Sequence, residues 1–246
     1  MIQKDFKIPS ALALLFILIG VGMAQGAATL KVCECHACGC QYLSIQEAID
    51  IASPGDVILV RSGTFHGNVN VSKPIVLRGE MWHGDDLPLI NADGNGSCIT
   101  VTADEAVVES MRVTNSGNLP GDAGIRVVSD NATIRNNLAS GNGGSGIVLE
   151  GARSCTVRAN IISNNTIGIL LSNSVDNLII NNRLYNNTEM DAFDDGENRW
   201  NDGTRGNHYG SFNCTDHNND TICDVIANAV FAIPGGRAVD DLPLVV

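Results

Sequence analysis

Between Gly144 and Asn187 the chain repeats itself: "SGIVL" is followed by "IGILL", and "TVRANIISNN" by "LIINNRLYNN". The period can be counted on glycines. Gly124, Gly146 and Gly168 stand 22 residues apart, and each opens an apolar run: Ile125-Arg126-Val127, Ile147-Val148-Leu149 and Ile169-Leu170-Leu171. Two further columns keep nearly the same step, Ile134, Val157 and Ile179, then Ala139, Ile162 and Leu184. A looser copy lies upstream at Ile99, Val108 and Val113. A unit this short holds three brief β-type runs separated by Asn, Gly and Ser. It has no core of its own and must stack on its neighbours to bury its apolar side.

Two stackings suit such a period. Leucine-rich repeats use one strand per unit and a comb of leucines, and that comb is absent. Three runs per unit instead make a parallel β-helix, in which each strand pairs with its copy about 4.8 Å away in the next coil. The pleat turns Ile125, Ile147 and Ile169 inward, with Val127, Leu149 and Leu171. Asn137, Asn160 and Asn182 share one column, where stacked side chains can hydrogen-bond along the stack. The expected fold is all-β, a single-stranded parallel β-helix of about six coils of about 22 residues.

Composition agrees. Of 246 residues 44% are hydrophobic and only 4% aromatic, so the core is aliphatic and thin. Lys4 and Lys7 precede an apolar stretch from Ile8 to Val21, and the small residues Ala24-Gln25-Gly26-Ala27 follow. Residues 1–27 therefore read as a signal peptide cut after Ala24, Gly26 or Ala27. The rival is an uncleaved anchor, but the run is shorter than the ~20 residues a spanning helix prefers. Cleavage leaves no membrane span and a secreted, periplasmic or cell-surface protein. The formal net charge is -12. It argues against nucleic acid, which needs Lys and Arg at its phosphates, and against non-specific capture of acidic polysaccharide. It suits cations.

"SIQEAIDIASPGDVILVRSGTFHGNVNVSKPIVLRGE" (Ser44 to Glu80) supplies the open end. Ser44 and Glu47 form a capping box, Ile45, Ala48, Ile49 and Ala52 a helical stripe, and Pro54-Gly55-Asp56 a stop. A helix over 44–53 would cover the exposed core and sheet edge. The expected organisation is a Cys-rich arm over 28–43, coils with their capping helix over 44–188, and an acidic closing module over 189–246.

The same segment resembles the N-terminal cap and first coil of pectate-lyase-like right-handed β-helix proteins, and more narrowly the NosD/CASH group. "DAFDDGENRWNDGTRGNHYGSFNCTDHNNDTICDVIANAVFAIPGGRAVDDLPL" (Asp191 to Leu244) is similar to the closing module of NosD-like envelope proteins. There "N-Y-W-S-D-Y" and "D-G-I-G-D" are usual, and here "NHYGSF" and "DTICD" stand in their place. The resemblance implies a right-handed β-helix and a part in maturing a copper centre. It fixes fold more than activity.

Residues for catalysis do not line up. Hydrolases of this shape need two carboxylates at a set separation. Asp130 follows Gly124 by six residues, but Ala152 and Ser174 hold the equivalent places, and Glu150 and Asp176 have no stacked partner. The outward positions Thr100, Arg126, Val148 and Leu170 are not a catalytic set. No catalytic residue is assigned. The expected function is binding or scaffolding in the envelope, with a carbohydrate or an envelope protein as partner. The rival is a small carbohydrate-active enzyme, a polysaccharide lyase or glycoside hydrolase. Trp82 and Trp200 are candidates for stacking on sugar, although packing over the barrel side is the commoner use of such a residue. No role is assigned to His66, His83 or His208.

Two segments have metal chemistry. "CECHACGC" holds Cys33, Cys35, His36, Cys38 and Cys40, a donor set for copper or zinc when reduced and a pair of disulfides when oxidised. "DHNNDTICD" places Asp216, Asn218, Asp220 and Asp224 at offsets 1, 3, 5 and 9 of a calcium loop, with the Ile222 carbonyl at offset 7. Thr221 stands where such loops have Gly, and Ala227 where they have Glu. The alternative is an acidic turn. Cys214 and Cys223 bracket the loop and are expected to pair. Cys98 and Cys155 are not: the register puts them in different columns and two coils apart, roughly 9 Å of stacking, against the ~7 Å that a disulfide spans.

Overall fold

The computed structural model describes residues 26–35, 39–84, 86–218, 220–223 and 230–245. All but the last two residues of the expected leader lie outside them. Strands are numbered in chain order. An eight-stranded parallel sheet runs β1 (Thr29–Val32), β2 (Val57–Arg61), β5 (Val76–Glu80), β8 (Val107–Glu109), β11 (Thr133–Arg135), β14 (Thr156–Arg158), β17 (Val175–Ile180), β20 (Glu197–Arg199). A second sheet runs β3 (Thr64–His66), β6 (Leu89–Asn91), β9 (Arg112–Thr114), β12 (Leu138–Ser140), β15 (Ile161–Ser163), β18 (Arg183–Tyr185), β21 (His208–Tyr209). The third runs β4 (Val69–Val71), β7 (Ile99–Val101), β10 (Ala123–Val127), β13 (Ser145–Glu150), β16 (Ile167–Ser172), β19 (Met190–Asp194). The chain visits the three in turn, so the molecule is a right-handed parallel β-helix of about seven coils.

The register is the one the repeat dictates. Ile125 pairs with Ile147 and Ile147 with Ile169; Ile134 pairs with Val157 and Val157 with Ile179; Ala139 pairs with Ile162 and Ile162 with Leu184. Ile99, Val108 and Val113 take the matching places one coil earlier. All twelve are buried.

Both ends of the stack depart from expectation. β1 pairs with β2 from Thr29↔Val57 to Val32↔Val60, so the segment expected to be an arm begins the helix of coils. At the other end β19, β20 and β21 carry the stack past residue 188 and into the expected closing module. The count therefore rises from about six to about seven. The reason is the step. Val57↔Val76 spans 19 residues, Val76↔Val107 spans 31 and Arg183↔His208 spans 25, so the outer coils do not share the 22-residue period.

The N-terminal opening is closed by α1 (Ile45–Ile51), whose first turn is capped by Ser44 Oγ accepting from Glu47 N–H at 3.3 Å. Its Ile45, Ala48 and Ile49 face the core. The C-terminal opening is closed by an antiparallel pair, β22 (Phe231–Ala232) and β23 (Val239–Asp240). Phe231 stacks on the buried Tyr209, ring centroids 3.7 Å apart.

Polar ladders run inside the corners. Asn137 donates its backbone N–H and Nδ2 to Oδ1 of Asn160, Asn160 donates likewise to Asn182, and Asn182 to Asn207. The second Nδ2 hydrogen of Asn160 goes to the Ile134 carbonyl. The corners can turn this sharply because the preceding residues, Asn136, Ala159 and Asn181, sit in the left-handed region at φ of 56°, 55° and 55°. A second ladder, Asn142 to Asn165 to Asn187, and a shorter one, Asn177 to Asn198, were not anticipated. Each ladder ends on a carboxylate, an acceptor with no hydrogen to give: Asp240, Asp191 and Asp194 respectively.

Candidate functional site

The outer face of the third sheet has no catalytic arrangement. Its paired outward residues are Asn70, Thr100, Arg126, Val148, Leu170 and Phe193, and Arg126 is held by Glu150 at 2.5 Å.

The convergence of chemical groups is on the second sheet, at its C-terminal end. Arg183 of β18 and His208 of β21 are Cα partners on adjacent coils. Tyr185 follows on the same face, its ring centroid 5.4 Å from the Arg183 guanidinium. Asn186, Phe212 and Asn213 complete a cleft of about 420 Å³. Phe212 is fixed by an edge-on contact with Phe231, 5.8 Å between centroids. His208 Nδ1 is buried with no hydrogen-bond partner among the described residues. Burial, and then the charge of Arg183, hold the His208 pKa below its ordinary value against an opposing pull from Asp191. The imidazole is therefore neutral at pH 7.

Among the described residues the cleft lining contains no carboxylate. The usual glycoside hydrolysis uses two. The lining offers recognition chemistry: a guanidinium for a carboxylate or hydroxyl oxygen, a phenol ring for an apolar sugar face, and amides for hydroxyls.

The residues anticipated from sequence lie elsewhere. Cys33 and Cys40 form a disulfide, Cα atoms 5.7 Å apart, and Cys35 is disulfide-bonded as well. His36 and Cys38 lie outside the described residues. Cys214 and Cys223 are joined, with Cα atoms 5.6 Å apart. Within the loop they close, Asp216 accepts from the backbone N–H groups of Asp220 and Thr221, Asn218 Oδ1 from Asp220, and Asp220 from Ile222. Thr221 takes the positive φ, 69°, expected where calcium loops have Gly. Asp224 lies outside the described residues. Cys98 and Cys155 are buried free thiols. Trp200 is buried and donates Nε1–H to Asp194, and Trp82 lies against the Arg61 guanidinium at 3.3 Å, so both pack on the protein itself.

The architecture defines the class, a right-handed parallel β-helix. Within it, the profile described as "Periplasmic copper-binding protein (NosD)" matches residues 89–214, and the chain belongs to that family. Among solved structures it is similar to an alginate lyase from Paenibacillus sp. str. FPU-7 (20% identity, TM-score 0.54, covering 74% of this chain and 64% of that one). It is also similar to pectate lyase Pel9A (18% identity, TM-score 0.57, 76% and 59%). The chain thus spans less than two thirds of either enzyme, and at these identities the likeness is one of fold. No curated protein matches the chain.

The family description implies copper, which favours thiolate, thioether and imidazole donors. Among the described residues no three His, Cys, Asp or Glu side chains are grouped to hold a metal. Cys33, Cys35 and Cys40 are oxidised, and burial pushes the Cys98 and Cys155 thiols up to about 11. The described residues do not fit a copper ion.

Proposed function

We propose that this chain is an exported, non-catalytic β-helix protein of the cell envelope that binds carbohydrate through the cleft between β18 and β21. The observation that carries the proposal is the lining: Arg183, Tyr185, Asn186 and Asn213 around a neutral His208, with no carboxylate among them. Export is supported by the Cys33–Cys40 and Cys214–Cys223 disulfides, which persist in oxidising compartments, and by the periplasmic description of the family. If the protein serves a copper centre, the lack of a donor set among its described residues favours a scaffold or accessory binder over a carrier of the ion. A structural calcium ion at Asp216, Asn218, Asp220, Ile222 and Asp224 belongs to the same proposal.

A second reading has one specific observation behind it. Elimination across a uronate needs a cation at the carboxylate, a base for the adjacent C–H and an acid for the leaving oxygen, and Arg183, His208 and Tyr185 are residues of those types within two coils. A glycan array read together with an assay for unsaturated products separates the two. Retention of a glycan without product supports the binder, and turnover supports the lyase.

A further inference from the structure

Each of the three sheets has an edge at either end of the stack, and an unpaired edge exposes backbone groups that need partners. At the start of the stack side chains supply them. Gln46 accepts from Asn70 N–H at 2.8 Å and donates back to the Asn70 carbonyl at 3.3 Å, so it stands in for a strand beside β4. Glu34 accepts from Thr64 N–H of β3 at 3.1 Å, and Gln41 and Tyr42 fold back on Lys31 of β1. At the far end the Pro234 carbonyl accepts from Asp194 N–H of β19, and the C-terminal tail bonds Gly206 and Asn207, at the entry to β21, through Leu242 and Leu244. β20 is different. It ends the eight-stranded sheet, and among the described residues no hydrogen bond outside its pairing with β17 reaches the backbone of Glu197, Asn198 or Arg199. Beside this edge a cleft of about 460 Å³ lies between β20 and Arg237 and Ala238 in the turn of the closing hairpin.

From this geometry we infer that the free edge of β20 takes one strand of an extended peptide from a partner protein, with a basic residue opposite Glu197 and an acidic one opposite Arg199. The unpaired donors and acceptors of a strand edge are matched by the backbone of another extended polypeptide, and side chains then choose among peptides. Here they give the pattern. Asn198 turns inward, where its Oδ1 accepts from Asn177, so Glu197 and Arg199 point outward together. Neither forms an ion pair among the described residues, nor do Asp176 and Arg237, which also line the cleft. Unlike charges directly opposite one another stabilise a strand pair and like charges destabilise it. Two outward charges of opposite sign therefore select the incoming strand. A second copy of this chain fits the edge less well. The hairpin and the tail already lie over the ends of the other two sheets, in the way of a second stack of coils, and both copies would carry the same net charge of -12. A single strand meets neither obstacle.

The edge is on the first sheet, apart from the cleft at Arg183 on the second, so the proposal stands without the carbohydrate reading. The probes are fluorescein-labelled heptapeptides with Lys-Thr-Glu, Glu-Thr-Lys or Lys-Thr-Lys at the centre and Thr and Ser outside, read by fluorescence polarisation with the full chain. A mixed-charge peptide, in the order that suits the strand direction, should bind wild type about tenfold more tightly than Lys-Thr-Lys. Arg199→Glu should reverse that preference. Arg158→Glu, the same charge change two coils away along the sheet, should leave it unchanged. Copies of the tighter mixed peptide N-methylated at alternate residues, in the two possible phases, test the backbone ladder: one phase should lose binding and the other keep it, because a strand at an edge pairs on one side only. Melting temperatures check that each variant is folded. No saturable binding of either mixed peptide, Lys-Thr-Lys binding wild type as tightly as both, a preference unmoved by Arg199→Glu, or equal effects of the two methylated phases would each overturn it.

Discussion

Asn207 donates its backbone N–H and its Nδ2 to the same oxygen of Asp240, at 2.7 and 3.3 Å, and so ends the longest amide ladder on a carboxylate. The other Asp240 oxygen accepts from Leu242 N–H, and the Tyr209 hydroxyl adds a further donor. The C-terminal closure is thereby bolted to the polar column of the coils, and its pH dependence follows. Burial pushes the Asp240 pKa up from 3.8 to about 6 despite these hydrogen bonds. A raised folded pKa means that the proton is held more tightly in the folded state. The associated stability is complete below pH 3.8 and is lost as pH rises through about 6. The stability gap between wild type and Asp240→Asn should therefore widen as pH is lowered from about 7 to about 4. Urea melts across that range measure it, and a gap independent of pH would contradict it.

A mid-ladder residue gives a pH-independent effect. Asn160→Ala removes the acceptor for Asn137 N–H and Nδ2 and the donor to the Ile134 carbonyl, all buried. Orphaned buried groups of this kind should cost about 2–4 kcal/mol in total. Chemical denaturation of the variant measures it. A loss below about 0.5 kcal/mol, the range of an ordinary surface change, would mean that the ladder is not a fixed network.

How much of this was legible beforehand depended on the step between coils. Where it stays near 22 residues, the columns through Ile125, Ile134 and Ala139 could be assigned from sequence, and the paired registers match them. The cap at Ser44 was legible because a capping box is local. The outer coils were not, since their steps of 19, 31 and 25 residues mask the period. The cleft was invisible for the same reason: a 25-residue step brings His208 beside Arg183, and no motif marks it.

The two thiols of the stack should be inert. Cys98 Sγ–H donates to the Thr114 carbonyl at 3.1 Å and Cys155 Sγ–H to the Ser129 carbonyl at 3.3 Å, and with both pKa values at about 11 neither is a thiolate at pH 8. Alkylation of the native, non-reduced protein followed by mass spectrometry should label neither, and labelling in urea should mark both. Rapid native labelling, or a Cys98–Cys155 peptide, would break the coil register.

The loop between Cys214 and Cys223 carries the calcium proposal. A chelator should lower the melting temperature, because an ion that binds only the folded chain stabilises it by mass action. Asp216→Asn should remove the response, since Asp216 organises the backbone at Asp220 and Thr221. An unchanged melting temperature together with no calcium by elemental analysis would exclude the ion.

The most direct test of the carbohydrate-binding account is calorimetric titration of the strongest array glycan into wild type and Tyr185→Ala. Tyr185 presents its ring beside Arg183 at the cleft and takes no part in the amide ladders. Loss of the ring should weaken binding about tenfold with the melting temperature unchanged and no product formed. Binding insensitive to Tyr185→Ala, or release of unsaturated sugar by wild type, would contradict the account.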